Sequence, residues 1–257
     1  MNQSERRNYL LRELMKENGR YSDIDIPDSS EEQMRLLRGL MNIRMPKSID
    51  DEFLRIQNEF LSEAAKAKRI TKIEDLEPLQ DGIYLWQGDI TALKCGAIVN
   101  AANSGMTGCY VPNHACIDNC IHFYSGVQLR YQCAEIMEKQ GYEEPTGQAK
   151  ITLSYNLPCD YIIHTVGPIV SGALTEKDCN LLKSCYESCL TLAEDKGISS
   201  IAFCCISTGE FHFPNEEAAK IAVQTVKAFL PKSINIKKGV FNVFKDRDKE
   251  IYEQLLR

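Results

Sequence analysis

Two cysteines and a histidine stand within eight positions in the stretch Gly108-Cys109-Tyr110-Val111-Pro112-Asn113-His114-Ala115-Cys116. Pro112 and Asn113 let the chain curl, so Cys109, His114 and Cys116 can converge on one ion. Thiolate and imidazole donors favour zinc over magnesium or calcium, and the spacing predicts one Zn2+ per chain. Three protein ligands leave one tetrahedral position for water or substrate, which marks a catalytic ion. Cys120 would close the site and make it structural if it supplied a fourth sulfur; at helical spacing from Cys116 it can equally face a core. Asp118 falls at an expected helix start. There it is either the N-cap or a first-turn acid favourable to the helix dipole, or the group that activates a water or holds a substrate hydroxyl beside the metal.

Three further loops follow apolar runs: Gly88-Asp89-Ile90-Thr91, Asn100-Ala101-Ala102-Asn103 and Ser207-Thr208-Gly209-Glu210-Phe211. In open α/β sheets, ligands collect where strand ends meet loops. A glycine there lets backbone N–H groups approach phosphate oxygens, and a helix beginning near Asn215 adds its positive end. Taken singly, each loop is also ordinary turn chemistry.

The elements that must position these loops lie from about residue 71 onward, where short apolar runs alternate with amphipathic stretches. Strands are expected over Ile83 to Trp86, Ala97 to Asn100, Ala149 to Ser154, Tyr161 to Val166, Ser200 to Ile206 and Gly239 to Phe244. Helices are expected over Asp118 to Gln140, Asp178 to Lys196, Glu216 to Phe229 and Asp246 to Leu256, with Gly141, Gly197 and Pro231 as stops. The fold class is α/β, a single mixed sheet covered by helices.

Residues 1–70 read differently. Ser29-Ser30-Glu31-Glu32 forms a capping box before Met34, Leu37 and Leu40, and Ser48-Ile49-Asp50-Asp51 opens a second helix carrying Phe53, Ile56 and Phe60. Tyr9 to Met15 forms a shorter one. This α-helical N-terminal extension has too few large apolar residues for a core of its own, so it docks on the main domain of residues 71–257. Its simplest role is a stabilising brace, with substrate selection as the alternative.

Composition narrows the function classes. The 257 residues carry 30 Lys plus Arg against 36 Asp plus Glu, a net charge of −6, so no global basic field exists to hold a nucleic acid. No apolar run approaches a membrane span and the first residues lack a secretory signal, so a cytoplasmic protein with no membrane partner is expected. Eleven cysteines in a chain this long read as reduced thiols. Cys185, Cys189, Cys204 and Cys205 sit where small buried hydrophobes belong.

Taken together, the segments from about residue 71 to the end resemble the macrodomain family, whose members bind ADP-ribose over a mixed sheet. Asn100-Ala101-Ala102-Asn103-Ser104 is similar to the family's asparagine motif and Ile162-Ile163-His164-Thr165-Val166-Gly167-Pro168 to its central strand. The stretch from Ile206 to Pro214 is similar to its diphosphate loop. Cys116-Ile117-Asp118-Asn119-Cys120-Ile121-His122 matches the end of the family's catalytic loop, but the glycine-rich run before it is replaced by Cys109 to Cys116. That replacement and the helical extension resemble the zinc-dependent subclass of microbial protein-ADP-ribose hydrolases.

The resemblance implies that Asp89 holds the adenine amino group, with the Ile90 backbone beneath the same ring. Asn103 meets the distal ribose, and Ile117 and Asp118 lie in the catalytic loop. Ser207, Thr208, Gly209, Glu210 and Phe211 wrap the diphosphate and proximal ribose, so oriented amides receive two phosphates in an acidic protein. Asp118 and Asn103 would be catalytic, His122 and His164 packed, and His212 unassigned. The expected activity is zinc-dependent mono-ADP-ribose removal from modified protein side chains, by attack at either the anomeric carbon or an ester carbonyl, with ADP-ribose as product. A lipoyl-carrier protein similar to the glycine-cleavage H protein is the implied partner. The rival reading is a non-catalytic ADP-ribose reader with structural zinc. A zinc nucleobase deaminase is disfavoured because its H-x-E and P-C-x-x-C signatures are missing.

Overall fold

The computed structural model describes residues 1–21 and 24–257. Asn2 begins the first helix: its side chain accepts from the Glu5 N–H, and its own N–H donates to the Glu5 carboxylate, both at 2.9 Å. This reciprocal cap satisfies two otherwise orphaned donors. Helix α1 therefore runs Gln3–Glu17 instead of the shorter span expected. Helix α2 (Ser30–Ile43) is capped by Ser29, through one bond from the Glu32 N–H, and α3 (Asp51–Ala67) by Asp50. Leu10, Leu11, Leu14, Leu37, Phe53, Ile56 and Phe60 interlock into a hydrophobic cluster that takes in Phe123 and Val127 of the main domain. The extension thus has more of a core than its composition suggests, but its cluster is shared across the boundary.

Two short strands, β1 (Thr71–Lys72) and, further on, β3 (Leu93–Lys94), pair in parallel and were not expected from the sequence. Between them lies β2 (Ile83–Gln87); β4 (Ala97–Ala102), α4 (Ile117–Ser125) and α5 (Val127–Gln140) follow. The chain continues through β5 (Ala149–Leu153), β6 (Tyr161–Val166), α6 (Glu176–Asp195), β7 (Ser200–Phe203), α7 (Asn215–Phe229), β8 (Lys238–Val243) and α8 (Asp246–Leu256). The six longer strands form one sheet in the order β2-β8-β7-β4-β6-β5, parallel except for the β5–β6 pair. Buried on both faces, β4, β6, β7 and β8 read as continuous apolar runs, as parallel strands do. Cys185, Cys189 and Cys204 are buried in the core and Cys205 is half-buried at its edge.

The single helix expected over Asp118 to Gln140 is broken at Gly126, which adopts φ 96°. The cause is long-range. Gln57 of α3 presses into the joint, and its Oε1 accepts the Val127 N–H at 3.0 Å. A Cβ on Gly126 would lie 2.5 Å from Gln57 Nε2. Gly126→Ala is therefore expected to destabilise the fold by about 2 kcal/mol, the sum of backbone strain and displaced Gln57. Urea unfolding checks this, and an unchanged midpoint would contradict it.

Candidate active site

Because β2, β4, β6 and β7 run parallel in one sheet, their carboxyl ends lie along one edge. That edge carries Asp89 after β2, Asn103 after β4, Gly167 after β6 and Ser207 after β7. Among the described residues, four of the six non-glycine positions with positive φ lie in its loops: Met106, Asn113, Ser207 and His212. Such conformations cost energy and concentrate where a loop is shaped for a ligand.

Asp118, in the first turn of α4, is 5% exposed at the floor of this edge. Asn100 of β4 donates to its Oδ1 at 2.8 Å, and Asn103 Nδ2 lies 3.4 Å from its Oδ2. Asn103 Nδ2 also donates to the Gly108 carbonyl at 3.1 Å, tying the asparagine motif to the start of the Cys/His loop. Burial pushes the Asp118 carboxyl up to about 6, the Asn100 bond only partly offsetting it. A carboxyl in that range is suited to exchanging a proton near neutrality. Behind it, Asn100 donates its other N–H to His164 Nδ1 at 3.1 Å, so His164 Nε2 carries the proton and faces Thr152 Oγ1 at 2.9 Å. Burial holds both His122 and His164 well below the usual imidazole range, and both stay neutral. They support the floor. His122 Nε2 lies 3.5 Å from Asp118 Oδ1, and its ring packs against Gly108, where φ is 86° and a Cβ would strike the imidazole.

The donor atoms of Cys109, His114 and Cys116 lie within 4.8 Å of one another. Cys109 Sγ is 3.7 Å from His114 Nδ1. A tetrahedral zinc with bonds of about 2.3 Å to sulfur and 2.0 Å to nitrogen separates two such ligands by about 3.5 Å, so the three donors fit that ion in type and spacing. Burial, reinforced by the neighbouring Cys109, pushes the Cys116 thiol up to about 12. Cys116 is also the N-cap of α4. Cys120 does not join the cluster: its sulfur faces Arg38 Nη2 at 3.3 Å. A second, wholly buried group of His122, Cys133 and His164 lies behind Asp118, with His164 already engaged by Asn100 and Thr152.

The loop from Ser207 to Phe211 curls so tightly that the Phe213 N–H returns to the Ser207 carbonyl at 3.0 Å and that of His212 to Gly209 at 3.1 Å. Among the described residues, the N–H groups of Gly209, Glu210 and Phe211 meet no protein acceptor. Gly167 lies so close beneath Ser207 that a Cβ there would overlap Ser207 Oγ. The expected dipole contribution from α7 is weakened, since Glu216 and Glu217 already occupy its first turn. Across the cleft, Glu210 Oε1 lies 3.5 Å from His114 Nε2 and links this loop to the Cys/His loop.

Asp89 is engaged at the other end. Thr91 binds its Oδ1 through N–H at 3.0 Å and Oγ1 at 2.6 Å, and Lys68 Nζ reaches Oδ2 at 2.7 Å. Burial pushes this carboxyl up, but Lys68 and Thr91 outweigh it and hold the group below its ordinary value. Ile90 is buried beside it, and Ile117 is half-buried at the start of α4.

The macrodomain family model, described as "Macro domain", matches residues 99–222, from within β4 through the Cys/His loop, Asp118 and the loop after β7. A protein-ADP-ribose hydrolase of Treponema medium is 55% identical over 260 residues, covering all of both chains. The chain belongs to the macrodomain family. A protein-ADP-ribose hydrolase of Staphylococcus aureus is 48% identical over 96% of this macrodomain and 93% of its own length. The Trypanosoma brucei macrodomain in complex with ADP-ribose is 28% identical and superposes with a TM-score of 0.67, over 86% of this chain and 95% of that one.

Several residues around the macrodomain's cleft escape the sequence reading. Asn100 lies inside the motif, and a fully buried asparagine within an apolar strand is itself a signal that it must find partners. Arg130 of α5 lies buried against the carbonyls of Asn42 and Arg44 and donates to the Cys109 carbonyl at 3.3 Å. Lys68, the C-cap residue of α3, and Arg38 of α2 reach the two ends of the cleft from the extension. Among the described residues no helix is long and apolar enough to cross a membrane.

Proposed function

We propose that this macrodomain is a zinc-dependent mono-ADP-ribosylhydrolase that releases ADP-ribose from modified protein side chains. The observation that carries the reading is the buried Asp118 carboxylate, held by Asn100 and Asn103, beside a three-donor Cys/His cluster at the edge where the loops converge. Full-length identity to proteins named protein-ADP-ribose hydrolase supports it. Cys109, His114 and Cys116 would hold one zinc ion, which supplies Lewis-acid charge at the reacting end of the substrate. Asp89 and the Ile90 backbone take the adenine. The free N–H groups of Gly209, Glu210 and Phe211 donate to the diphosphate oxygens, and Ser207 and Thr208 shape that turn. Asn103 orients the distal ribose, and Asp118 takes a proton from the attacking water at a carboxylate oxygen. Ile117 packs against the same ribose. The raised affinity of buried Asp118 for a proton favours this transfer.

The protein carrying the modification is proposed, from the family resemblance, to be a lipoyl carrier similar to the glycine-cleavage H protein. Purified protein incubated with a mono-ADP-ribosylated protein is expected to release free ADP-ribose over many turnovers, measured by chromatography. Tight ADP-ribose binding in a calorimeter with no product over hours would instead establish a reader.

A further inference from the structure

We infer that helix α2 of the extension is a built-in clamp for the metal loop, with Arg38 and Asn42 as positioning residues that hold Cys109, His114 and Cys116 ready for the ion. The inference rests on the zinc reading above and deepens it. Within the loop, the one backbone bond is His114 N–H to the Val111 carbonyl at 3.2 Å, so eight residues bearing three ligands have little order of their own. The order comes from outside. Arg38 Nη2 donates to the His114 carbonyl at 2.7 Å, fixing the backbone of the imidazole ligand. The same guanidinium donates to Asn119 Oδ1 at 2.8 and 3.1 Å, and Asn119 Nδ2 passes the hold to the Val111 carbonyl at 3.0 Å. Asn42, 1% exposed, accepts the Asn113 N–H at 2.9 Å and so stabilises a residue at φ 56°, where the loop reverses towards His114. Pro112 and Asn113 lie directly over Gly39, where a Cβ would come within 3.3 Å of Asn113 Nδ2. Arg130 closes the arrangement by joining the carbonyls at the end of α2 to that of Cys109.

Residues that orient metal ligands from behind set affinity through preorganisation, and their loss typically costs 10- to 100-fold. The Arg38→Ala and Asn42→Ala proteins are therefore expected to bind zinc 10- to 100-fold more weakly than wild type, measured on the full chain by competition with a chromophoric chelator. Arg38→Lys should recover part of the loss, because one donor survives while the fork does not. Leu14→Ala separates clamping from mere stability: it opens the extension's core without touching the loop, and is expected to lower the melting temperature while leaving zinc affinity unchanged. Replacement of zinc by cobalt gives a second readout, since a loosened ligand set shifts and broadens the ligand-field absorption. Wild-type affinity in both Arg38→Ala and Asn42→Ala, or an equal loss in Leu14→Ala, would overturn the clamp alone. A wild-type protein that takes up no zinc would overturn the metal reading and the clamp together.

Discussion

Removal of the proposed zinc from the purified macrodomain by chelation is expected to lower ADP-ribose release by at least about 10³-fold, because several kcal/mol of charge stabilisation at the reacting centre would go with it. Cys116→Ser is the more discriminating form of the same experiment. Cys116 has two roles, as a donor in the cluster and as the N-cap that receives the Asn119 N–H at 3.5 Å. Serine caps a helix well and binds zinc poorly, so the substitution preserves α4 while removing a ligand. The variant should melt close to the metal-free wild type, retain little metal by elemental analysis, and show the same loss of turnover as the chelated protein. Restoring zinc should recover the wild type and not the variant. Undiminished turnover by metal-free protein would reject the metal's part in the reaction while leaving Asp118 in place.

The convergence of the Cys/His side chains and the placement of the sheet are legible in the sequence for different physical reasons. Cys109, His114 and Cys116 are close in sequence, so curling of one short loop brings them together, and that can be read from Pro112 and Asn113. The sheet was legible where burial on both faces forces unbroken apolar runs: Tyr161 to Val166 is the observed β6, and the α8 span follows its amphipathic period. What escaped depends on partners far away in the chain. Gly126 breaks the α4–α5 helix because Gln57 lies against it, and no pattern within Asp118 to Gln140 announces that contact. Nothing in the local sequence around Arg38 or Lys68 announces their partners; only tertiary packing sets one on the His114 carbonyl and the other on Asp89. The expected brace is thus also the support of both ends of the cleft. The strand expected to reach Ile206 ends at Phe203, where the chain leaves the sheet to form the loop with Ser207 at φ 64°, a departure that apolar character alone cannot reveal.

Asp118→Asn is expected to separate activity from stability. The side chains are nearly isosteric, and the amide oxygen can still accept from Asn100, so the cleft should keep its shape. Lost is the ability to take a proton, and with it about 10²- to 10⁴-fold in kcat, with a smaller change in ADP-ribose affinity. Stability should move the other way. The folded carboxyl is shifted from the usual 3.8 to about 6, chiefly by burial, with Asn100 and Arg130 opposing. An acid whose folded pKa is raised destabilises the native state once it ionises: the penalty is absent below about pH 4, grows as pH rises through about 6, and is complete above it. At about 1.4 kcal/mol for each tenfold change in acidity, the full penalty is roughly 3 kcal/mol. The imperfect fit of an amide beside Asn103 Nδ2 returns part of this gain. In metal-free protein at pH 7.5 the variant should therefore be more stable than wild type by about 1 to 2 kcal/mol, and near pH 4, where only the amide misfit remains, the order should reverse. Urea unfolding at both pH values measures this. An Asp118→Asn protein that is less stable at pH 7.5, or that retains wild-type turnover, would remove Asp118 from the role of a buried, strained proton acceptor.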